Sequence, residues 1–158
     1  MKQHKNFFRV LRVLHLGMLC GTCLFAIISL IVINRESITT TEESLNRTLQ
    51  VTSVFFSFTL LLIGFNLFKK KLVAVRNSLD HAERRMNQYI TACITWWAMI
   101  EVPALFAVSC YWLTANLSFF FLASFHIFIL FVFMPRKENI IVLLKLNSQE
   151  VMRLEGRA

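Results

Sequence analysis

Residues Ile90 to Leu113 read ITACITWWAMIEVPALFAVSCYWL, and this stretch decides the fold. An α-helix needs about 20 consecutive, mostly apolar residues to cross the hydrocarbon core of a bilayer, and this stretch exceeds that length. Glu101 is its only formally charged residue. An ionisable group near the middle of a membrane is costly, so it needs a partner, a proton or a function. We therefore expect a transmembrane helix that carries a polar site at Glu101.

Three further stretches pass the same length test, at residues 13–33, 51–68 and 117–134. The chain has 158 residues, of which 56% are hydrophobic and 16 are Phe, and soluble domains are less apolar. The predicted class is an all-α integral membrane protein. We expect one domain over residues 1–158, an antiparallel bundle of four transmembrane helices (13–33, 51–68, 90–113 and 117–134) with a short amphipathic tail over 136–158.

The basic residues predict the orientation of this bundle. Fifteen of the seventeen Lys and Arg residues fall in the N-terminal segment, the connection between spans two and three, and the tail. Positive loops stay in the cytoplasm, so both termini are expected there, in the inner (cytoplasmic) membrane of a bacterium. The net charge of +8 then reflects orientation, and nucleic acid is not an expected partner.

The same charges suggest a surface for partners on the cytoplasmic side. Anionic lipids of the inner leaflet attract clusters of Lys and Arg next to a transmembrane helix. The residues predicted to face lipid or a partner protein are Lys69, Lys70, Lys71, Arg84 and Arg85.

Short local signals predict where helices begin and end. Asp80-His81-Ala82-Glu83 fits a capping box, so a helix of roughly 33 residues should start near His81 and run through the third span. Only residues 114–116 separate spans three and four, which predicts a tight hairpin. Asn147-Ser148-Gln149-Glu150 predicts a second capping box in the tail. The polar stretch 35–50 is expected to be a short loop.

The hairpin also predicts a neighbour for Glu101. In a hairpin centred near residue 115, His126 lies within about three residues, or roughly 4.5 Å, of the depth of Glu101. A carboxyl beside an imidazole could relay a proton, bind a cation or neutralise itself. The plainer alternatives are a packed, hydrogen-bonded histidine and a structural carboxyl. Pro103 should kink the helix, because it cannot donate to the carbonyl of Met99.

Two other patterns lie in the predicted spans. Trp96 and Trp97 are too deep for headgroup anchors, so they should pack beside Glu101 or wall a pocket for a flat ligand. Gly17 and Gly21 form a GxxxG pattern, which allows another helix to approach closely, either in the same chain or in a second copy.

The sequence contains no recognisable catalytic set, and no cofactor or metal is expected. The four His residues lack ligand spacing. Cys20 and Cys23 have CxxC spacing, but they fall inside the first span, away from the oxidising face that disulfide exchange needs. With Cys93 and Cys110 they are better interpreted as small, buried, apolar residues.

Two resemblances centre on Glu101. The run EVPALFAV at 101–108 is followed by YWLTAN at 111–116 and PRKE at 135–138. This pattern resembles small uncharacterised four-span inner-membrane proteins of bacteria. Glu101 with Pro103, Leu105 and Phe106 is more distantly similar to the ion-carrying helix of rotary ATPase proteolipid (c) subunits, which implies an ion site at Glu101. Those subunits pack Gly- and Ala-rich helices, whereas this chain has four Gly, so we carry over the ion site and not the rotor.

Three functions are compatible with these features. The favoured one is a non-enzymatic component of a larger membrane assembly or homo-oligomer, which binds partners or anionic lipid through its basic cytoplasmic face. The second is a proton- or ion-handling component that uses Glu101 with His126. The third is a membrane enzyme that binds a lipid or quinone.

Overall fold

The computed structural model describes residues 6–35 and 42–155. Within this part the chain forms six helices: α1 (Phe7–Arg35), α2 (Glu43–Asn77), α3 (Ala82–Thr114), α4 (Leu117–Val132), α5 (Lys137–Leu144) and α6 (Ser148–Leu154). Helices α1, α2 and α3 are each long and apolar enough to cross a membrane. The pair α4 and α5 also qualifies as one broken span, bent by 67°. The protein is therefore all-α, with three to four helices that could cross a membrane.

Helix α3 is the central element of the bundle. It packs against α1, α2 and α4, whereas α1 and α2 pack on α3 rather than on each other. Half of the most apolar stretch of α3 is buried, against 22% for α1 and 17% for α2. Because Glu101 lies on α3, it lies on the helix that every other long helix contacts.

Small residues bring α2 close to α3. Ser53, Ser57 and Gly64 are the small residues on its buried side. A Cβ added to Gly64 would lie 2.8 Å from the Met99 sulfur and 2.9 Å from the Trp96 ring. Small side chains at an interface let helix backbones approach, and transmembrane helices associate largely through such packing.

Helix α1 meets the bundle through a narrow seam that contains polar residues. Its buried positions recur with helical period: Leu11, His15, Thr22, Ala26, Ser29 and Ile33. His15, Thr22 and Ser29 follow one another at heptad spacing, so they share one face. All three are almost completely buried. The seam therefore places polar groups at intervals along the contact between α1 and its neighbours.

Helix α3 begins and ends where the sequence predicted, but the capping box predicted at its start does not form. The helix begins at Ala82 and has 33 residues. Its N-cap residue, His81, makes no side-chain cap, and Asp80 instead pairs with Arg84 at 3.3 Å. At the other end, Ala115 adopts the left-handed conformation with φ 51°. The Asn116 side chain caps α4, which confirms the tight hairpin.

Helix α2 extends further in both directions than the sequence predicted. Stretch 35–50 was expected to be a loop, but α2 begins at Glu43, while residues 36–41 lie outside the described part of the chain. A Glu in the first turn favours a helix start, and Leu49 contacts the apolar cluster around Ile33. At its other end α2 continues past Lys69, Lys70 and Lys71 to Asn77.

The tail folds back onto one end of the bundle, which we call the tail-side end. It comprises the starts of α1 and α3, the end of α2, and helices α5 and α6. Ile140, Leu144 and Leu154 are buried there in a cluster that includes Leu11 and Met86. The predicted capping box at Asn147 and Glu150 is present. An ion pair between Lys137 and Glu155 joins α5 to the end of the tail.

Candidate functional site

Glu101 contacts α1. The Thr22 hydroxyl lies 2.9 Å from Oε1 of Glu101 and also 2.9 Å from the carbonyl oxygen of Met18. Thr22 is buried and Glu101 is half-buried. In the described part of the chain, Glu101 has no Lys, Arg or His within ion-pair distance. The carboxyl is therefore held by one hydroxyl between two membrane-spanning helices.

The Thr22 hydroxyl can hydrogen-bond to the Glu101 carboxyl whether that carboxyl is ionised or protonated. A hydroxyl donates one hydrogen bond at a time and can accept others. When Glu101 is ionised, Thr22 donates to its Oε1. When Glu101 is protonated, it can donate to Thr22, which then donates to the Met18 carbonyl. Each state can keep a hydrogen bond between Glu101 and Thr22.

Pro103 lies two residues after Glu101 and is buried inside α3. The helix is continuous through it. Proline has no N–H group, so the carbonyl of Met99 receives no hydrogen bond from position 103. A free acceptor two residues before Glu101 adds to the polarity of this part of α3.

His126 is not the partner of Glu101, which corrects the pairing predicted from the hairpin. His126 Nε2 lies 2.8 Å from the Ser57 hydroxyl, and Nδ1 lies 2.8 Å from the Leu122 carbonyl. No hydrogen bond or ion pair joins it to Glu101 among residues 6–35 and 42–155. The prediction used depth alone, whereas rotation about the helix axis turns Glu101 towards α1 and His126 towards α2.

The hydrogen bonds of His126 match those of a neutral imidazole. A carbonyl can only accept, so Nδ1 carries the proton that it donates to Leu122. Nε2 is then free to accept from Ser57. His126 is fully buried and fully bonded, so its geometry agrees with the packed, structural histidine that was the plainer alternative.

His15 is the polar residue near Glu101 that the motifs did not reveal. Its side chain is fully buried, and neither ring nitrogen has a hydrogen-bond partner in the described structure. The ring centroids of His15 and Trp97 lie 4.6 Å apart in an edge-to-face arrangement. Trp97 is one helical turn from Glu101 on α3. His15 precedes Thr22 by one heptad, or roughly 10 Å along α1. The heptad of His, Thr and Ser was the sequence signal that could have identified it.

The two tryptophans are part of the packed interior. Trp96 is surrounded by the rings of Phe65, Phe68 and Phe133, at centroid distances of 5.9, 6.2 and 5.3 Å. Trp97 is 1% exposed and packs on His15. Of the two predicted roles, this geometry matches packing beside Glu101, because side chains occupy the space that a flat ligand would need.

Gly17 and Gly21 do not pack against any other helix in the described part of the chain. A Cβ added to either would meet no atom within 4 Å. The close approach that the GxxxG pattern predicted within the chain occurs instead at Gly64 of α2. The face of α1 that carries Gly17, Cys20 and Gly21 is exposed.

Four of the five residues predicted to form the basic surface are exposed. Lys69, Lys70, Lys71 and Arg84 are exposed. Arg85 is only 9% exposed and lies 3.9 Å from Glu150 of α6. The prediction for Arg85 was wrong because the tail covers this side of α3.

The cysteines form no disulfide in residues 6–35 and 42–155. Cys93 and Cys110 are buried, as expected, but Cys20 is exposed and Cys23 is partly so. The Cys110 sulfur lies 3.6 Å from the Ser53 hydroxyl. Within the same residues, no three His, Cys, Asp or Glu side chains are grouped so that they could hold a metal ion.

These features together define a class. An all-α chain with three to four apolar helices of membrane length is a multi-pass membrane protein. Comparison with family models, with curated proteins and with solved structures found no match in any of the three. Any function must therefore be inferred from the residues of this chain.

Proposed function

We propose that this protein binds and releases a proton at Glu101 within a bacterial inner membrane. The proposal takes α1 to α4 as four spans in an antiparallel bundle, with α5 and α6 at the cytoplasmic surface. The distribution of basic residues supports cytoplasmic termini. The bend of 67° between α4 and α5 suits a helix that leaves the membrane at Pro135.

The observation that carries the proposal is the contact between Glu101 and Thr22. Ionisable residues inside spans are rare and commonly mark proton or ion pathways. A structural carboxyl that stays ionised inside a span would be expected to pair with a cation, and Glu101 pairs with none among the described residues. The hydroxyl beside it can serve either protonation state.

His15 supports the same proposal. A buried imidazole with two unpaired nitrogens is unusual, because buried polar groups are almost always hydrogen-bonded. Its place on the α1 seam, on the tail side of Glu101, makes it the nearest titratable group along that seam. We infer that His15, rather than His126, is the histidine that acts with Glu101.

The test uses a carbodiimide, an apolar reagent that attacks carboxyl groups inside membranes. We expect dicyclohexylcarbodiimide to add to Glu101 in the purified protein, as measured by mass spectrometry of the α3 peptide. Glu101→Gln should abolish the adduct, because it keeps the shape of the side chain and removes the acid. Glu43→Gln, in the exposed first turn of α2, serves as the control and should leave the adduct unchanged. An unlabelled Glu101 in the folded protein would count against the proposal.

A second candidate is the assembly component with a basic cytoplasmic face. It is favoured by the exposed side chains of Lys69, Lys70 and Lys71 and by the unpartnered face at Gly17 and Gly21. A cluster of basic residues beside a span attracts anionic lipid or an acidic partner, at about 1 kcal/mol per charge near the surface.

Charge neutralisation separates the two candidates. If assembly is the function, changing Lys69, Lys70 and Lys71 together to Gln should lower recovery of the protein in membrane complexes, as followed by native electrophoresis. Glu101→Gln should then have no effect on recovery. If proton handling is the function, the triple variant should retain carbodiimide labelling at Glu101. Lost labelling in the triple variant, with intact complexes, would contradict both candidates.

A further inference from the structure

A polar cavity lies at the tail-side end, well away from Glu101. Its volume is about 540 Å³. It opens between the α2–α3 connection, the first turn of α3 and helix α6. The charged and polar side chains that line it are Ser78, Asp80, His81, Glu83, Arg85, Glu150 and Arg153.

Arg85 is the unusual residue of this cavity. It is 9% exposed, and its Nε is fully enclosed with no hydrogen-bond partner. Its one ion-pair partner in the described chain is Glu150, whose Oε1 lies 3.9 Å from Nη1, which is beyond hydrogen-bond distance. A guanidinium has five N–H donors in a fixed fork, and burying such donors unpaired is costly. The geometry therefore leaves a largely buried cation whose Nε lacks an acceptor and whose Nη1 is only loosely paired.

The start of α3 reaches the same cavity. His81 at its N-cap supplies no side-chain hydrogen bond to the first turn, so backbone N–H groups there remain unpaired by a cap. The N-terminus of a helix carries a partial positive charge and favours anions. Arg153 of α6 adds a second guanidinium, and its side chain is exposed.

Two of the cavity's three carboxylates are already engaged. Asp80 pairs with Arg84. Glu150 uses Oε2 to accept from the Asn147 backbone N–H and approaches Arg85 only loosely with Oε1. Glu83 is exposed in the first turn of α3. Arg85 of α3 and Arg153 of α6 thus bring guanidinium donors to the cavity from two helices.

We propose that this cavity binds a phosphate group, which Arg85 would hold through its fork of donors, together with Arg153 and the first turn of α3. Arginine matches phosphate because its parallel N–H groups can bind two oxygens at once. The phosphate could belong to the headgroup of an anionic lipid or to a soluble ion. The chemistry of recognition is the same, and the experiment distinguishes the two sources.

The test uses the full-length protein and two probes. Inorganic phosphate is titrated in a neutral detergent by calorimetry, and phosphatidylglycerol is offered in nanodiscs, where retained lipid is counted by native mass spectrometry. Arg85→Gln should weaken binding about tenfold or more, since it removes charge-assisted hydrogen bonds. Arg76→Gln is the control, because Arg76 is exposed in the last turn of α2 and does not line the cavity, and it should change little.

Glu150→Gln distinguishes a binding site from a simple ion pair. Gln can still serve in the capping box, whereas loss of the carboxylate frees Arg85, so phosphate binding should strengthen. If the Arg85–Glu150 pair were only structural, both variants would reduce stability and neither would alter binding. Should Arg85→Gln fail to fold, Arg153→Gln, expected to weaken binding, replaces it.

The two probes give distinct outcomes. A soluble ligand is identified if inorganic phosphate binds, and if Arg85→Gln weakens that binding while Glu150→Gln strengthens it. Binding of phosphatidylglycerol alone, with the same dependence, identifies a lipid headgroup. The proposal is overturned if neither probe binds in an Arg85- or Arg153-dependent way, or if Glu150→Gln weakens binding as Arg85→Gln does.

Discussion

Gly64→Ala is expected to destabilise the bundle by about 1–3 kcal/mol, the usual range for overpacking a tight interface. The added methyl would lie 2.8–2.9 Å from the sulfur and Cβ of Met99 and from the Trp96 ring. The Met99 sulfur could move, but Met99 Cβ is fixed by the backbone of α3. Trp96 is held by three phenylalanine rings. The strain must therefore separate α2 from α3.

Gly17→Ala is the matched control for this effect. It makes the same chemical change in another long helix, but no atom lies within 4 Å of its new Cβ. We expect a change near zero in the free energy of unfolding, measured for both variants by denaturation in mixed micelles. If neither substitution destabilised the protein, α2 would not approach α3 closely at Gly64. If both destabilised it equally, Gly17 would have to pack against a second copy.

Thr22→Val is expected to alter the environment of Glu101 without removing its carboxyl. Valine keeps the shape of threonine but lacks the hydroxyl, so Oε1 would lose the hydrogen bond it makes to α1. A hydrogen bond to a carboxyl lowers the stretching frequency of its C=O bond. The carboxylic acid band of Glu101 should therefore move to higher frequency in this variant, as measured by infrared difference spectroscopy after a change of pH.

Thr91→Val provides the control for that shift. The Thr91 hydroxyl also bonds to a carbonyl one turn earlier on its own helix, and it is exposed with no carboxylate beside it. This change should leave the Glu101 band in place. A band that is unmoved by Thr22→Val would mean that the two helices are not joined at this point.

The sequence was sufficient to predict the class of fold because long apolar runs have few alternatives in a membrane. The ends of α3 and the capping box at Asn147 were also predictable. These signals are local, since a cap or a turn depends on residues that are close in the chain. The loop predicted up to Gln50 was wrong because the polar residues from Glu43 onward suit the exposed end of a helix as well as a loop.

The partner of Glu101 could not be predicted in this way. Depth along a hairpin follows from residue numbers, but the rotation of each helix depends on how all four pack. His126 hydrogen-bonds to Ser57 rather than to Glu101. Thr22 gave no motif of its own, and its role depends on α1 packing beside α3.

The glycine that forms a tight helix contact could not be predicted from the sequence either. The visible GxxxG pattern at Gly17 and Gly21 lies on an open face, whereas Gly64, with no such pattern, forms the tight contact. Similarly, Arg85 is indistinguishable from its neighbour Arg84 in sequence, but the tail covers only Arg85. In each case the contact comes from a distant segment, which periodicity within one helix does not reveal.

The measurement that tests the central claim most directly is an infrared pH titration of the wild-type protein and Glu101→Gln in lipid. If Glu101 binds and releases a proton in the membrane, the wild-type protein will show a carboxylic acid band that changes with pH. That band will be missing from Glu101→Gln and displaced in Thr22→Val. The claim would be contradicted if Glu101→Gln retained every pH-dependent carboxyl band of the wild-type protein.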